Sequence, residues 1–253
     1  MPDIVAVALQ EFVPYPDAFI HSTYHIKQKV DDLAQLILRT LHRTCPGHRF
    51  CLVSQSAQVG MILFILTRDG SMTEHVERIS NASVGTGPGG MGNKGAIATR
   101  LSIRLPATAS SRPSFDICFI NAHLSAHLHM IKRRNHDYLS ICKRMGTVWE
   151  ESIFSCDYIF WTGDLNYRLD LSQSDGEIVH AIEQGHLRQL YSHDQLSAQR
   201  KTMNVFRGFH EAPLAFPPTY KFKMGSDQYS ISKRVPAWTD RVLWFVHPRD
   251  ATS

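Results

Sequence analysis

Several features that would indicate particular classes of protein are absent from this sequence of 253 residues. No apolar run is long enough to cross a bilayer, and the first residues lack the basic-then-apolar pattern of a secretory signal. The five cysteines form no CxxC pair and leave an odd thiol, which argues against a disulfide framework. These absences predict a soluble protein of the cytoplasm, where thiols stay reduced.

A strong charge of one sign is absent too, because 27 basic residues stand against 23 acidic ones and leave a net charge of +4. That balance permits an anionic ligand or membrane surface without requiring one. The glycine-rich stretch GTGPGGMGNKG at 85–95 contains no GxxxxGK[ST] motif, so a nucleotide triphosphatase gains no support. The length and the hydrophobic content of 43% suit one domain over 1–253.

What is present is a mixture of strand and helix patterns. Apolar spacings of three and four predict a helix from His25 to Thr44, and further helices are predicted at 128–145 and 177–183, the last with Ser174 or Asp175 as its cap. Runs rich in β-branched and apolar residues predict strands at 4–9, 50–53, 61–67, 96–103, 115–121, 158–161 and 242–246. This mixture predicts an α+β fold.

One predicted strand ends abruptly in polar residues, in the stretch DYIFWTGDLNYRLD at 157–170. If strand geometry continues through the turn, Asp164 and Asn166 point the same way. Asp164 could then act as a general base, with Asn166 stabilising charge on a substrate oxygen. An ordinary turn explains GDLN equally well, since Gly, Asp and Asn are common turn formers.

Other strands also end in groups that suit phosphate chemistry. Glu11 follows the first strand, and a hard cation such as Mg²⁺ binds one or two carboxylates with water and phosphate oxygens. His123 could donate to a developing negative charge, although a satisfied core histidine is the alternative. Asp240 could orient a catalytic imidazole or form a surface ion pair with Arg241.

Two groups of basic residues could bind phosphate. Lys94 lies in the glycine-rich stretch, where backbone N–H groups and one positive charge could surround a phosphate, although a mobile loop with a solvated lysine is the alternative. The second group consists of Tyr220, Lys221, Lys233 and Arg234. A solvated cationic face would explain this second group equally well.

Together, these segments resemble the inositol polyphosphate 5-phosphatase family, a branch of the endonuclease/exonuclease/phosphatase superfamily. The matching stretches are PDIVAVALQE, GMGNKGAIATRLS, FINAHLSAH, FWTGDLNYRL, FPPTYKF and RVPAWTDRVLW, which follow the family's order and span residues 2–244. The resemblance implies a DNase I-like sandwich of two packed β-sheets flanked by helices. It also implies Mg²⁺-dependent hydrolysis of the 5-phosphate of phosphoinositides, such as phosphatidylinositol 4,5-bisphosphate, or of soluble inositol polyphosphates.

The resemblance further implies roles for individual residues. Glu11 would hold the metal and Asp164 would activate water. Asn166 and His123 would grip the scissile phosphate, and Asp240 would align a later histidine. The residues expected to bind substrate are Asn93 and Lys94 near the phosphate or ring, and Tyr220, Lys221, Lys233 and Arg234 at the 4-phosphate.

Two motifs of the family do not occur, namely an opening strand with a Thr-Trp-Asn type motif and a closing Ser-Asp-His motif. The domain is therefore expected to be incomplete at both ends. The alternative to an active enzyme is a catalytically impaired fragment or a phosphoinositide-binding protein without turnover. The expected partner is a phosphoinositide or inositol polyphosphate, with peripheral contact to an anionic membrane. A nuclease is disfavoured, because no basic stripe with interleaved aromatic residues suggests a nucleic-acid groove.

Overall fold

The computed structural model describes residues 1–12, 23–106, 114–171, 174–230 and 235–248. In these ranges the strands are β1 (Ile4–Leu9), β2 (Phe50–Gln58), β3 (Met61–Arg68), β4 (Val76–Gly85), β5 (Gly95–Arg104), β6 (Ser114–His123), β7 (Tyr158–Asp164) and β8 (Asp240–Val246). The helices are α1 (Thr23–Thr44), α2 (Ile131–Trp149), α3 (Asp175–Glu183), α4 (Leu187–Tyr191) and α5 (Gln195–Lys201). The strands form a sheet of order β1-β3-β2 and a sheet of order β4-β5-β6-β7-β8.

The central strand of the smaller sheet is buried on both faces. Met61, Leu63 and Ile65 of β3 pack in a cluster with apolar residues of β5 and β6, between the two sheets. The alternate residues Ile62, Phe64 and Leu66 pack with α1. Because successive side chains of a strand point to opposite faces, an uninterrupted apolar run is what a strand covered on both sides requires.

The larger sheet is covered on its other face by α2 and by the aromatic residues around Phe206. Tyr138, Ile141 and Met145 of α2 pack there with Trp161 of β7. The order of layers is therefore helix, sheet, sheet, helix, which confirms the predicted fold class of two packed sheets flanked by helices. None of the helices in the described ranges is both long and apolar enough to span a membrane.

Some element boundaries differ from the sequence prediction. The strand β4 was not predicted, because its sequence VERISNASVG has few apolar residues and its first half is largely exposed. The helix predicted from Leu128 begins instead at Ile131, since His127 adopts a left-handed backbone conformation with φ of 77°. It continues to Trp149 rather than ending at Met145.

The pairing of the larger sheet aligns four strand ends. The parallel register of β6 and β7 places His123 opposite Asp164. Asp164 lies opposite Asp240 on β8, and His123 lies opposite Gly95 on β5. Because neighbouring strands lie about 4.8 Å apart, these residues form a row at one edge of the sheet.

The buried side chain of Asn121, two residues before His123 on β6, links the two sheets near that row. The Asn121 amide donates from Nδ2 to the carbonyls of Leu9 (2.9 Å) and Ile62 (2.8 Å). Its Oδ1 accepts a hydrogen bond of 2.5 Å from Gln10 Nε2. This side chain of β6 therefore connects the larger sheet to β1 and β3 of the smaller sheet by hydrogen bonds, and its own buried polar atoms are paired.

We expect Asn121→Leu to lower the free energy of unfolding by about 3 kcal/mol, because it removes three hydrogen bonds made by a fully buried amide. Urea unfolding followed by tryptophan fluorescence measures the loss. The control is Asn204→Leu, at an exposed asparagine whose bonds go to Gln199 and Thr202, and it should change stability by no more than about 0.5 kcal/mol. Equal stability of the two variants would contradict the role given to Asn121.

Gly163 permits the close approach of β7 to β6 beside this row. Its φ is 124°, and a Cβ atom there would lie 2.1 Å from the carbonyl oxygen of Ala122. No other residue type fits this position without moving one of the strands, since Cβ atoms do not approach backbone oxygens so closely.

Gly163→Ala should therefore lower the free energy of unfolding by at least about 3 kcal/mol, because a strained backbone adds to the steric overlap. The matched control is Gly176→Ala in α3, where a Cβ would meet nothing within 4 Å. That change should raise stability by about 0.5 kcal/mol or more, as alanine is the better helix former. A Gly163→Ala variant as stable as the parent would show that the pairing of β6 with β7 does not depend on a glycine at this position.

Candidate active site

A cleft of about 320 Å³ opens where the aligned strand ends of the two sheets meet. Its lining comes from strand ends of the larger sheet, from the residues that follow β1 and from loops: Gln10, Glu11, Lys94, His123, Ala126, Asp164, Asn166, Arg168, Tyr220, Lys221, Thr239 and Asp240. Of the residues singled out in the sequence, Glu11, Lys94, His123, Asp164, Asn166, Tyr220, Lys221 and Asp240 are thus brought together.

His123 lies at the centre of this cleft and is buried. Its Nε2 atom is 3.3 Å from Asp164 Oδ2 and 3.9 Å from Glu11 Oε1, and it also contacts the Lys94 ammonium. One ring nitrogen cannot donate and accept at once, so Nε2 either donates to Asp164 or accepts from Lys94.

The Asp164 carboxylate is held by the turn that follows β7. Asn166 has φ of 57°, so the strand geometry does not continue from Asp164 to Asn166 as the sequence prediction assumed. The backbone N–H of Asn166 instead donates to Asp164 Oδ1 at 3.0 Å, as short polar side chains allow in turns. This bond fixes the carboxylate and leaves Oδ2 on the side of His123.

Asn166 is itself buried and oriented by two neighbours. Its Nδ2 donates to the carbonyl of Leu124 at 3.0 Å, and its Oδ1 accepts a hydrogen bond from Arg168 Nη2. The amide is therefore fixed in one orientation, and the second N–H of Nδ2 bonds to none of the described residues, so a ligand could accept it.

Arg168 lines the cleft although the sequence analysis did not select it. Its guanidinium lies over the Tyr220 ring, with 4.2 Å from Cζ to the ring centroid, while its Nε has no hydrogen-bond partner among the described residues. The signal in the sequence was an arginine two residues after Asn166, on the same turn. A buried guanidinium with a free N–H suits an anionic ligand.

The glycine-rich stretch forms a loop that presents Lys94 to the cleft. Arginines of α2 hold this loop, since Arg144 Nη1 donates to the carbonyl of Gly85 (2.5 Å) and Arg133 Nη2 donates to that of Thr86 (2.6 Å). Burial lowers the pKa of the Lys94 ammonium, and the carboxylates of Asp164 and Glu11 oppose part of that fall.

Three residues predicted to bind substrate are not among the described residues that line the cleft, and two of these three are not described at all. The Asn93 side chain lies against Gly87 inside the glycine-rich loop, and Asn93 is not among the described residues that line the cleft. Lys233 and Arg234 fall outside the described residues. Tyr220 and Lys221 are therefore the members of the second basic group that the structure places beside the cleft.

Asp240 borders the cleft at the start of β8. Its carboxylate accepts a hydrogen bond of 3.1 Å from Thr239 Oγ1. The residue keeps an exposed surface, yet burial of the carboxyl raises its pKa, and the nearby Asp164 carboxylate acts in the same direction.

The oxygen donors of the cleft fit a hard divalent cation with few protein ligands. Glu11 presents an exposed carboxylate with a left-handed backbone (φ 55°), close to the Asp164 carboxylate across His123. Among the described residues, no group of three or more His, Cys, Asp or Glu side chains could enclose a metal. An ion here would complete its shell with water and ligand oxygens, as Mg²⁺ does at phosphate sites.

Comparison with known proteins agrees with this geometry. The endonuclease/exonuclease/phosphatase family 2 matches residues 1–252. Rat synaptojanin-2 is 36% identical over 99% of this chain, and mouse type II inositol 1,4,5-trisphosphate 5-phosphatase is 33% identical over 96% of it. The chain spans 16% and 24% of the length of those two relatives.

A solved structure has the same fold. The inositol polyphosphate 5-phosphatase domain of SPsynaptojanin, in complex with inositol (1,4)-bisphosphate and calcium ion, is 34% identical with a TM-score of 0.80. The match covers 97% of this chain and 68% of that one. The chain therefore belongs to endonuclease/exonuclease/phosphatase family 2, within its inositol polyphosphate 5-phosphatase group.

Proposed function

We infer that this chain hydrolyses the 5-phosphate of phosphoinositides, such as phosphatidylinositol 4,5-bisphosphate, or of soluble inositol polyphosphates, with Mg²⁺ as cofactor. The observation that carries the proposal is the cleft in which His123, Asp164, Glu11 and Lys94 meet. The ligand of the SPsynaptojanin domain supports the choice of substrate. A bisphosphate with groups at positions 1 and 4 is what remains when a 1,4,5-trisphosphate loses its 5-phosphate.

Glu11 would hold the metal ion, which would supply positive charge against the oxygens of the phosphate group. The carboxylate is exposed and lies at the edge of the smaller sheet, while its neighbours come from the larger sheet. This position leaves room for water and phosphate oxygens around the ion.

Asp164 would be the general base. Its Oδ1 accepts the Asn166 backbone N–H, and we assign the proton from the attacking water to Oδ2, which faces His123 in the cleft. Uncatalysed phosphate-monoester hydrolysis is extremely slow, so such a base must act together with groups that stabilise negative charge.

Positive and N–H groups around the cleft would bind the phosphate as charge develops on it. Asn166 can offer its second amide N–H, His123 its ring nitrogen, and Arg168 its guanidinium. Lys94 would add a positive charge from the glycine-rich loop, while Tyr220 and Lys221 would contact the 4-phosphate. Asp240 would orient an imidazole, and Asn93, Lys233 and Arg234 stay predicted substrate-binding residues.

We expect Asp164→Ala to lower turnover about 1000-fold while substrate still binds, because the base is lost and the basic groups remain. The measurement is phosphate release from a 4,5-bisphosphorylated inositide, with Mg²⁺ and with chelator. The control is Asp32→Ala, at an exposed carboxylate on α1, which should leave turnover unchanged.

Turnover above a few per cent in the Asp164→Ala variant would contradict the role of this residue. Release that persists in chelator would contradict the metal requirement. Binding of the inositide by a folded parent chain without any release would instead indicate a phosphoinositide-binding protein.

We also propose that the chain works in the cytoplasm and contacts anionic membranes peripherally, aided by its net charge of +4. Binding to phosphatidylcholine vesicles that contain phosphatidylinositol 4,5-bisphosphate should weaken as sodium chloride rises from about 0.05 to about 0.5 M, because salt screens exposed charges. Co-sedimentation measures this binding, with vesicles of phosphatidylcholine alone as the control. Binding that does not change with salt would rule out an electrostatic contact.

A further inference from the structure

Two adjacent residues behind the cleft, Asp194 and Gln195, contact three of its walls without lining it. Both are buried, with exposures of 1% and 4%. Asp194 caps α5 by accepting the N–H of Ser197 at 2.7 Å, and Gln195 is the first residue of that helix. Neither residue carried any signal of function in the sequence.

The first wall is the loop from Leu124 to Leu128, which contributes Ala126 to the cleft. Arg134 of α2 is fully buried and donates to the loop carbonyls of Ser125 (3.2 Å) and His127 (2.7 Å). It also donates from Nη2 to Gln195 Oε1 at 2.7 Å. Gln195 Nε2 donates in turn to the carbonyl of Leu128 at 3.3 Å, so the end of the loop is tied to Gln195.

The second wall is the segment that follows Asp164. The backbone N–H of Arg168 donates to the same Gln195 Oε1 at 3.0 Å, and the N–H of Gln195 donates to the carbonyl of Arg168 at 2.9 Å. The Arg168 side chain orients Asn166, whose amide bonds to the carbonyl of Leu124 at the start of the loop. The loop is thus tied at its beginning by Asn166 and at its end by Gln195.

The third wall is the start of β8. Arg241 is fully buried and donates from Nη1 to both carboxylate oxygens of Asp194 at 3.0 Å. Glu211 accepts from the other side of the same guanidinium, at 2.6 and 2.9 Å. Because Arg241 follows Asp240 directly, this ion pair fixes the strand position from which Asp240 faces the cleft.

We propose that Gln195 is a positioning residue of the catalytic cleft, which holds the loop 124–128 and the segment 166–168 in one relative arrangement. A single oxygen, Gln195 Oε1, accepts hydrogen bonds from both the Arg134 side chain and the Arg168 backbone. This shared acceptor connects the two segments. A buried N–H without an acceptor is costly, so both segments keep this arrangement while the oxygen is present. The effect on turnover rests on the proposed phosphatase activity.

Three variants test this proposal. Gln195→Met keeps the volume of the side chain and removes the acceptor, whereas Gln195→Glu keeps two acceptor oxygens. Gln199→Met is the matched control on the same helix, because the Gln199 side chain accepts from Asn135 (2.8 Å) and Asn204 (2.9 Å), neither of which lines the cleft.

We expect Gln195→Met to lower kcat about 100-fold with little change in KM, because displacement of Asn166 and Arg168 weakens contacts that strengthen in the transition state. The kcat of Gln195→Glu should stay within about fivefold of the parent value, which corresponds to the loss of one weak hydrogen bond. Gln199→Met should match the parent. Normal kcat in a folded Gln195→Met variant, or equal losses in the Met and Glu variants, would overturn the proposal.

Amide hydrogen exchange tests the same arrangement without relying on activity. In Gln195→Met the amides of 124–128 and 166–168 should exchange faster together, and in Gln199→Met they should not. If Gln195→Met does not fold, amide hydrogen exchange of the parent protein in mild denaturant tests the proposal instead. The amides of Ser125 and Arg168 should open with one common free energy, and separate opening would refute the proposal. If the parent releases no phosphate, the proposed function fails, while exchange still decides the role of Gln195.

Discussion

The parallel pairing of β6 with β7 is the constraint on which the cleft depends. Its register sets His123 beside Asp164, and the neighbouring strands then add Gly95 and Asp240 to the same row. Gly163 makes that pairing possible at the end of the strands, where a side chain would overlap the carbonyl of Ala122. The arrangement of the cleft is therefore a consequence of backbone pairing, since His123 and Asp164 end their strands and Asp240 begins the next one.

The second requirement is that the smaller sheet packs so that the end of β1 lies beside this row of residues. Asn121 accomplishes this from within the inter-sheet core, through bonds to Gln10, to the carbonyl of Leu9 and to that of Ile62. Gln10 and Leu9 immediately precede Glu11. The Asn121 amide, which forms hydrogen bonds within the inter-sheet core, thus also sets the position of the Glu11 carboxylate that would hold the metal.

Much of this could be predicted from the sequence, because strands that end in polar residues carry a local signal. The run MILFILTR predicts a strand covered on both faces, and the helix pattern of α1 predicts a helix on a sheet. The strand β4 could not be predicted, since its pairing with β5 depends on tertiary contacts rather than on an apolar pattern. Gln195 was missed for the same reason, because its importance arises from partners far away in the sequence.

Glu11 follows β1 of the smaller sheet by two residues, whereas His123 and Asp164 belong to the larger sheet. Gln10 and Asn121, which join the sheets beside Glu11, are 111 positions apart in the sequence. Contacts of such separation form late in folding, because the entropy of closing a long loop must be overcome first. A refolding chain would therefore complete the cleft only once the two sheets have packed, because Glu11 meets His123 and Asp164 only then.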